Sequence, residues 1–173
     1  MELSESAYES QKYNATCAAL RSDRYRYGLE QGCSIGVLST RLAARCNRFL
    51  GVDLAATAVE QAARRLSPIP VASAIVAHIP TEWPDGQFDL IILSEVIYYL
   101  NLTDINLLTI KIAATAMPGA ECVLVNWCGH TDTHFTGLGA RVAFCDALAK
   151  VTNFQTKQNC GTDDYDHVTL LLD

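Results

Sequence analysis

Strand-like runs that alternate with helix-like stretches along 173 residues predict a doubly wound α/β sheet. Three observations carry that expectation. The alternation is regular from residue 27 to residue 149, the most apolar run (residues 88–93) has the character of a strand buried on both faces of a parallel sheet, and two strands close the chain. Ligands of such a sheet bind at the carboxyl ends of its strands.

Each element has its own signal. Residues 6–20 read as a helix ahead of the sheet. A short strand at 27–30 runs into the turn Gly32-Cys33-Ser34-Ile35-Gly36, after which Ile35, Leu38, Leu42 and Cys46 recur at helical spacing. A second strand is expected at 48–53, and Val59, Ala62, Ala63 and Leu66 mark one face of a helix that Ser67 and Pro68 stop. A third strand, 71–77, leads through a turn-rich stretch with Pro80, Pro84 and Asp85-Gly86 to the fourth at 88–93. Asn101 or Thr103 caps the next helix, whose inner face is Ile105, Leu108, Ile112 and Ala116, and Pro118-Gly119 ends it. Strand five spans 121–127. A helix around 141–149 then precedes the final strands at 154–158 and 167–172.

The composition suits a single soluble domain: half the residues are hydrophobic, 18 % are charged, and the formal net charge is -6. A chain this long buries roughly 70 % of its unfolded surface in one core. No apolar run approaches the ~20 residues of a bilayer span, and residues 1–10 alternate acidic with polar residues, so neither membrane insertion nor secretion is expected. The seven cysteines form no C-x-x-C pair, which argues for a reducing, cytoplasmic setting in which they serve as small hydrophobes. Charge is unevenly placed. Nine Lys and Arg face seven Asp and Glu up to Arg65, whereas four face twelve from Leu66 onward. That second half disfavours nucleic acid as a partner and suits a neutral or cationic small molecule.

The first strand-to-helix turn carries the cofactor signal. Gly32 and Gly36 leave room for sharp turning and close approach of a ligand, and the helix that follows presents unpaired N–H groups. Asp53, 21 residues after Gly32 at the end of strand two, has the position of an acid that accepts ribose hydroxyls; its alternative role is a helix N-cap. The glycine spacing is G-x-x-x-G rather than the dinucleotide G-x-G-x-x-G, and Glu30 stands two residues before the first glycine. A carboxylate there repels a pyrophosphate and suits a ligand carrying an ammonium and a sulfonium.

With these residues in view, Leu29-Glu30-Gln31-Gly32-Cys33-Ser34-Ile35-Gly36 resembles the first motif of class I S-adenosylmethionine-dependent methyltransferases. Gly51-Val52-Asp53 resembles their second motif, residues 88–100 (FDLIILSEVIYYL) their fourth-strand motif, and Pro118-Gly119-Ala120 the turn before strand five. The phrase RYRYGLE at 24–30, Glu82-Trp83-Pro84 and SEVIYYL at 94–100 are similar to the nodulation protein S group within that superfamily.

The resemblance covers residues 26–172. It implies a Rossmann-like sheet of seven strands, mostly parallel with one C-terminal antiparallel strand and helices on both faces, behind a cap helix within residues 1–25. It further implies S-adenosylmethionine as cofactor, S-adenosylhomocysteine as product, and N-methylation of a glucosamine amine on partly deacetylated chitooligosaccharides in Nod factor synthesis. By the same resemblance Glu30 orients the methionine amino group, Gly32, Cys33, Ser34 and Gly36 shape the turn, and Asp53 binds the ribose. Leu54 packs on adenine and Ser94 lies under the methionine moiety. Ser34 departs from a third glycine, which implies a shifted backbone path or a hydroxyl near the cofactor. His78 departs from an acid that receives the adenine amino group, with Ile79 packing beside it.

An amine acceptor needs a group that binds it and takes its proton. Glu95, directly after strand four, is the first candidate for that role, with Tyr98 and Tyr99 as walls or hydrogen-bond partners, their alternative being plain helix packing. His130 and Asp132 in the H-x-D-x-H loop after strand five are further candidates; that pattern with no second ligand pair makes no metal site. Tyr8, Lys12 and Tyr13 have the placement of a lid over the cofactor, and Arg24 that of a partner for its carboxylate or of a solvated arginine. An oligosaccharide or other small-molecule amine is the expected partner, and a monomer or weak dimer the expected state. The rival readings are a nicotinamide oxidoreductase, for which both G-x-G-x-x-G and Tyr-x-x-x-Lys are missing, and a cofactor-binding module without catalysis.

Overall fold

The structure, a computed structural model, describes residues 7–173, apart from the side chains of Gln158 and Asn159. Seven strands form one sheet in the order β3-β2-β1-β4-β5-β7-β6. These are β1 (Gly28–Gln31), β2 (Phe49–Asp53), β3 (Ala72–Val76), β4 (Phe88–Ser94), β5 (Ala116–Trp127), β6 (Phe154–Asn159) and β7 (Tyr165–Leu172). β1 to β5 run parallel, and β7 lies antiparallel to both β5 and β6. The order of strands reverses between β1 and β4, so a crevice opens there at their carboxyl ends.

Side-chain alternation along the central strands divides the core into two layers. Leu29, Ile91, Leu93, Cys122, Leu124, Val168 and Leu170 face one side, where they meet Ile105, Leu108 and Ile112 of α4 (Leu102–Thr115) and Phe144 and Leu148 of α5 (Gly137–Leu148). Leu90, Ile92, Val123 and Val125 face the other side and meet Leu38 and Leu42 of α2 (Val37–Ala43) and Leu66 of α3 (Ala56–Leu66). Burial on both faces along β4, and along β5 from Ala120 to Asn126, explains the apolar runs in both strands. Asp89 is the charged residue of β4, and it accepts the main-chain N–H groups of Arg26 and Tyr27.

Several boundaries differ from expectation, each for a local reason. The first helix is α1 (Ala7–Ala19); its expected start at Ser6, and residues 1–6 of the expected cap, lie outside the described residues. Cys46 is not helical but forms an isolated parallel bridge with Tyr25, so α2 is two turns long. Ala116 pairs with Phe88 and opens β5, so Pro118-Gly119 lies inside a long, irregular strand rather than beyond a helix. Asn101, not Thr103, caps α4: its Oδ1 accepts the Asp104 N–H at 2.9 Å. Thr136 caps α5 through the Gly139 N–H, which starts that helix at Gly137 instead of residue 141. Among the described residues, no helix is long and apolar enough to cross a membrane.

Candidate functional site

Two cavities meet at the switch point. One, of about 380 Å³, is walled by the β1–α2 turn, by Glu30, Ser94 and Glu95, and by Glu9, Lys12 and Tyr13 of α1. The other, of about 550 Å³, is walled by Gln31, Asp53, Leu54, His78, Ile79, Val96 and Tyr99. Gly32 and Glu95 line both, so the two cavities adjoin in a cleft region at the strand ends.

The turn between β1 and α2 is built by main-chain geometry. Gly32 has φ 78°, and a Cβ there would lie 2.4 Å from the Ser94 carbonyl oxygen; Gly36 has φ 81° against the Ala62 backbone. Ser34 keeps the left-handed conformation of a glycine, φ 47°, so its presence does not change the hand of the turn. Its N–H donates to Asp53 Oδ2 at 2.9 Å, and the Ala55 N–H donates to Oδ1 at 2.9 Å. Asp53 thus braces the turn rather than serving as the N-cap of α3, a place that Ala55 takes. Each of its oxygens can accept a further hydrogen bond, and Asp53 lines the second cavity. Cys33 is buried beneath the turn against Gly51.

Glu30 is almost fully buried and accepts the Ser39 hydroxyl at 2.6 Å. Burial pushes its carboxyl up to about 8, against a smaller lowering by the Ser39 bond. Gln31 is equally buried in the wall of the second cavity, where its Nε2 finds no hydrogen-bond partner. No sequence signal singles Gln31 out, since the amide occupies a position that reads simply as the end of a strand.

Glu95, at φ 59°, turns its carboxylate into the cleft and accepts three donors. Lys12 Nζ lies 3.0 Å from Oε1, while the Tyr98 hydroxyl (2.6 Å) and the Trp127 N–H (2.9 Å) both reach Oε2. Tyr98 is buried, and burial with the Glu95 bond holds its hydroxyl protonated far above the ordinary range. Tyr99 is exposed, stacks at a tilt on Tyr98 and lines the second cavity. The Glu95–Lys12 pair spans 83 residues, and nothing local in the sequence announces it.

Leu54 is exposed at the cavity mouth. Thr81 donates its one hydroxyl proton to the His78 carbonyl at 2.8 Å and lies 3.2 Å from His78 Nδ1. In the neutral ring the Nδ1–H then donates to Thr81, which leaves the lone pair on Nε2. Two expected site residues stand elsewhere. Arg24 donates to Asn47 Oδ1 at the amino-terminal end of the sheet, beside the Tyr25–Cys46 bridge and remote from the cleft. His130 lines neither cavity; with Asp132 and His134 it is exposed on the loop after β5. Among the described residues no group of three His, Cys, Asp or Glu stands close enough to hold a metal ion.

Known proteins similar to this chain are methyltransferases and nodulation proteins. The chain is 32 % identical to a putative methyltransferase from Pseudomonas syringae, with a TM-score of 0.79 over 95 % of this chain and 98 % of that one. It superposes with a TM-score of 0.81 and 20 % identity on N-methyltransferase NodS from Bradyrhizobium japonicum WM9, solved with S-adenosyl-l-homocysteine, covering 98 % and 90 % of the two chains. Nodulation protein S from Rhizobium tropici is 28 % identical over 129 residues, 74 % of this chain and 49 % of that protein. The protein of the same name from Bradyrhizobium diazoefficiens is 34 % identical over 99 residues, 57 % and 47 % respectively. The chain thus spans about half the length of these two nodulation proteins. The family model for nodulation protein S matches residues 1–117, and the chain belongs to the NodS family.

Proposed function

We propose that this chain is an S-adenosylmethionine-dependent N-methyltransferase, and that its acceptor is the glucosamine amine of a deacetylated chitooligosaccharide. The pair of adjoining cavities carries the reading. One half holds a buried carboxylate, the other a carboxylate with free lone pairs, and they join at Gly32 and Glu95. Those donors fit the cofactor. Glu30 Oε1 would meet the methionine ammonium, Asp53 the ribose hydroxyls, and His78 Nε2 the adenine amino group, with Leu54 and Ile79 against the ring. The unpartnered Gln31 Nε2 gains an acceptor in the same half. A pyrophosphate in place of the methionine would lie against Glu30, which disfavours a dinucleotide.

When bound, S-adenosylmethionine supplies a methyl group on a sulfonium. The protein's own part is to position and dry the acceptor nitrogen and to remove its proton. Glu95 Oε1 receives the acceptor ammonium and takes that proton, while Tyr98 and the Trp127 N–H hold Oε2 and so fix the carboxylate. Isothermal calorimetry with S-adenosylhomocysteine tests the cofactor: binding is expected, and its absence overturns the proposal. Turnover of a deacetylated chitooligosaccharide, with Glu95→Gln reducing kcat about a hundredfold, tests the acceptor and the base. Full activity in that variant removes Glu95 from the role.

A further inference from the structure

The cleft already contains an amine. Lys12 is only 7 % exposed, yet it lines the first cavity, with Nζ 3.0 Å from Glu95 Oε1 and 5.6 and 5.7 Å from the ring centres of Tyr8 and Tyr13. Tyr8 is held in turn by an edge contact to Trp127 at 5.8 Å, the residue whose N–H fixes the other oxygen of Glu95. Two aromatic faces and a carboxylate around one nitrogen is the arrangement that recognises an ammonium ion in general. Burying a lysine ammonium is costly unless it is paired, and here the pairing uses the carboxylate shared by both halves of the cleft.

We propose that Tyr8, Tyr13, Glu95 and Tyr98 form the subsite for the acceptor's ammonium group, and that Lys12 fills this subsite as a tethered surrogate until an acceptor displaces it. The proposal rests on the reading of Glu95 as the residue that faces the acceptor. A lysine ammonium and a protonated glucosamine amine are the same primary cation, so each satisfies Glu95 Oε1 and the two rings in the same way. Displacement requires only that the four-bond lysine stem rotate, because the carboxyl-terminal half of α1 is anchored separately, by Arg41 on Asn14 Oδ1 and Arg45 on the Cys17 carbonyl. Selectivity follows from the exchange. An N-acetylated sugar brings no cation, leaves Lys12 on Glu95, and is refused.

The test needs no cofactor. D-glucosamine and N-acetyl-D-glucosamine are titrated at constant ionic strength into the full chain, into Lys12→Met, and into Lys12→Met combined with Glu95→Gln, with binding followed by heteronuclear NMR. Glucosamine is expected to bind Lys12→Met about tenfold more tightly than wild type, the double variant to lose that gain, and N-acetylglucosamine to bind none of the three. Equal affinity in wild type and Lys12→Met, or equal binding of both sugars, overturns the proposal. A measurement on unmodified protein stands if Lys12→Met fails to fold. Saturating glucosamine should shift the side-chain CεH2 resonance of Lys12 where N-acetylglucosamine does not, and an unchanged Lys12 resonance overturns the displacement. S-adenosylhomocysteine calorimetry on the same samples separates the two failures: cofactor bound without the glucosamine gain rejects the surrogate alone, and no cofactor binding rejects the methyltransferase reading.

Discussion

Glu30 shows how one buried side chain links stability to ligand binding. Its carboxyl ionises near pH 8 in the folded protein against 4.5 as a free side chain, because burial disfavours the charge. The native state therefore holds a proton that the unfolded state releases above pH 4.5, so Glu30's contribution to stability falls as pH rises from about 4.5 to 8. That loss is on the order of a few kcal/mol. Glu30→Gln should flatten this dependence, which urea denaturation at pH 6 and pH 8.5 would reveal. A bound ammonium reverses the preference, since it stabilises the ionised form. S-adenosylhomocysteine should then bind more tightly at pH 8 than at pH 6, with proton release at pH 7 seen by calorimetry in buffers of different ionisation enthalpy. Glu30→Gln should abolish that release. Asp53→Ala is a second residue-scale case, since it removes both the candidate ribose acceptor and the brace on Ser34. It should weaken S-adenosylhomocysteine at least about tenfold by calorimetry, and unchanged affinity would reject the ribose assignment.

Elements set what a single position tolerates. Gly32 and Gly119 have nearly the same φ, 78° and 79°, yet a Cβ at Gly32 meets the Ser94 carbonyl at 2.4 Å while at Gly119 it meets nothing within 4 Å. Gly119→Ala should cost about 1 kcal/mol, the left-handed penalty alone. Gly32→Ala adds a backbone clash where the turn after β1 meets the end of β4 and should cost about 3 kcal/mol or more, measured by denaturant unfolding. The same difference marks what the sequence made legible. β4 and the apolar part of β5 announce themselves because both faces are buried, and the helix faces of α3 and α4 because one is. Cys46 deceives: it falls at helical spacing after Leu42, but its place is decided by a bridge to Tyr25 that periodicity does not encode. Thr136 is a capping residue by type, yet it follows a polar loop in which several residues could start a helix.

At the scale of the whole molecule, the half of the site proposed for the cofactor was the one whose residues local motifs could bring together. Glu30, Gly32, Ser34, Asp53 and Ser94 lie on strand ends and turns, so local motifs bring them to one crevice once the strand order is known. The half proposed for the acceptor depends on contacts between distant segments: Trp127 reaches Glu95 from β5, and Lys12 reaches it only when α1 folds over the sheet. Arg24 illustrates the reverse error, a charge close to the motif in sequence but at the opposite end of the strand. Because the cleft joins elements from β1, β2, β4 and α1, a ligand that fills it stabilises the fold as a unit. At a concentration a hundredfold above its Kd, S-adenosylhomocysteine should add about 2.7 kcal/mol of stability, which for a chain of this length raises Tm by about 5–10 °C. NADH, whose pyrophosphate would lie against Glu30, should leave Tm unchanged. Differential scanning calorimetry decides between them: a shift with NADH and none with S-adenosylhomocysteine would assign the crevice to a dinucleotide, while the opposite pattern, lost in Asp53→Ala, ties the stabilisation to the carboxylate at the end of β2.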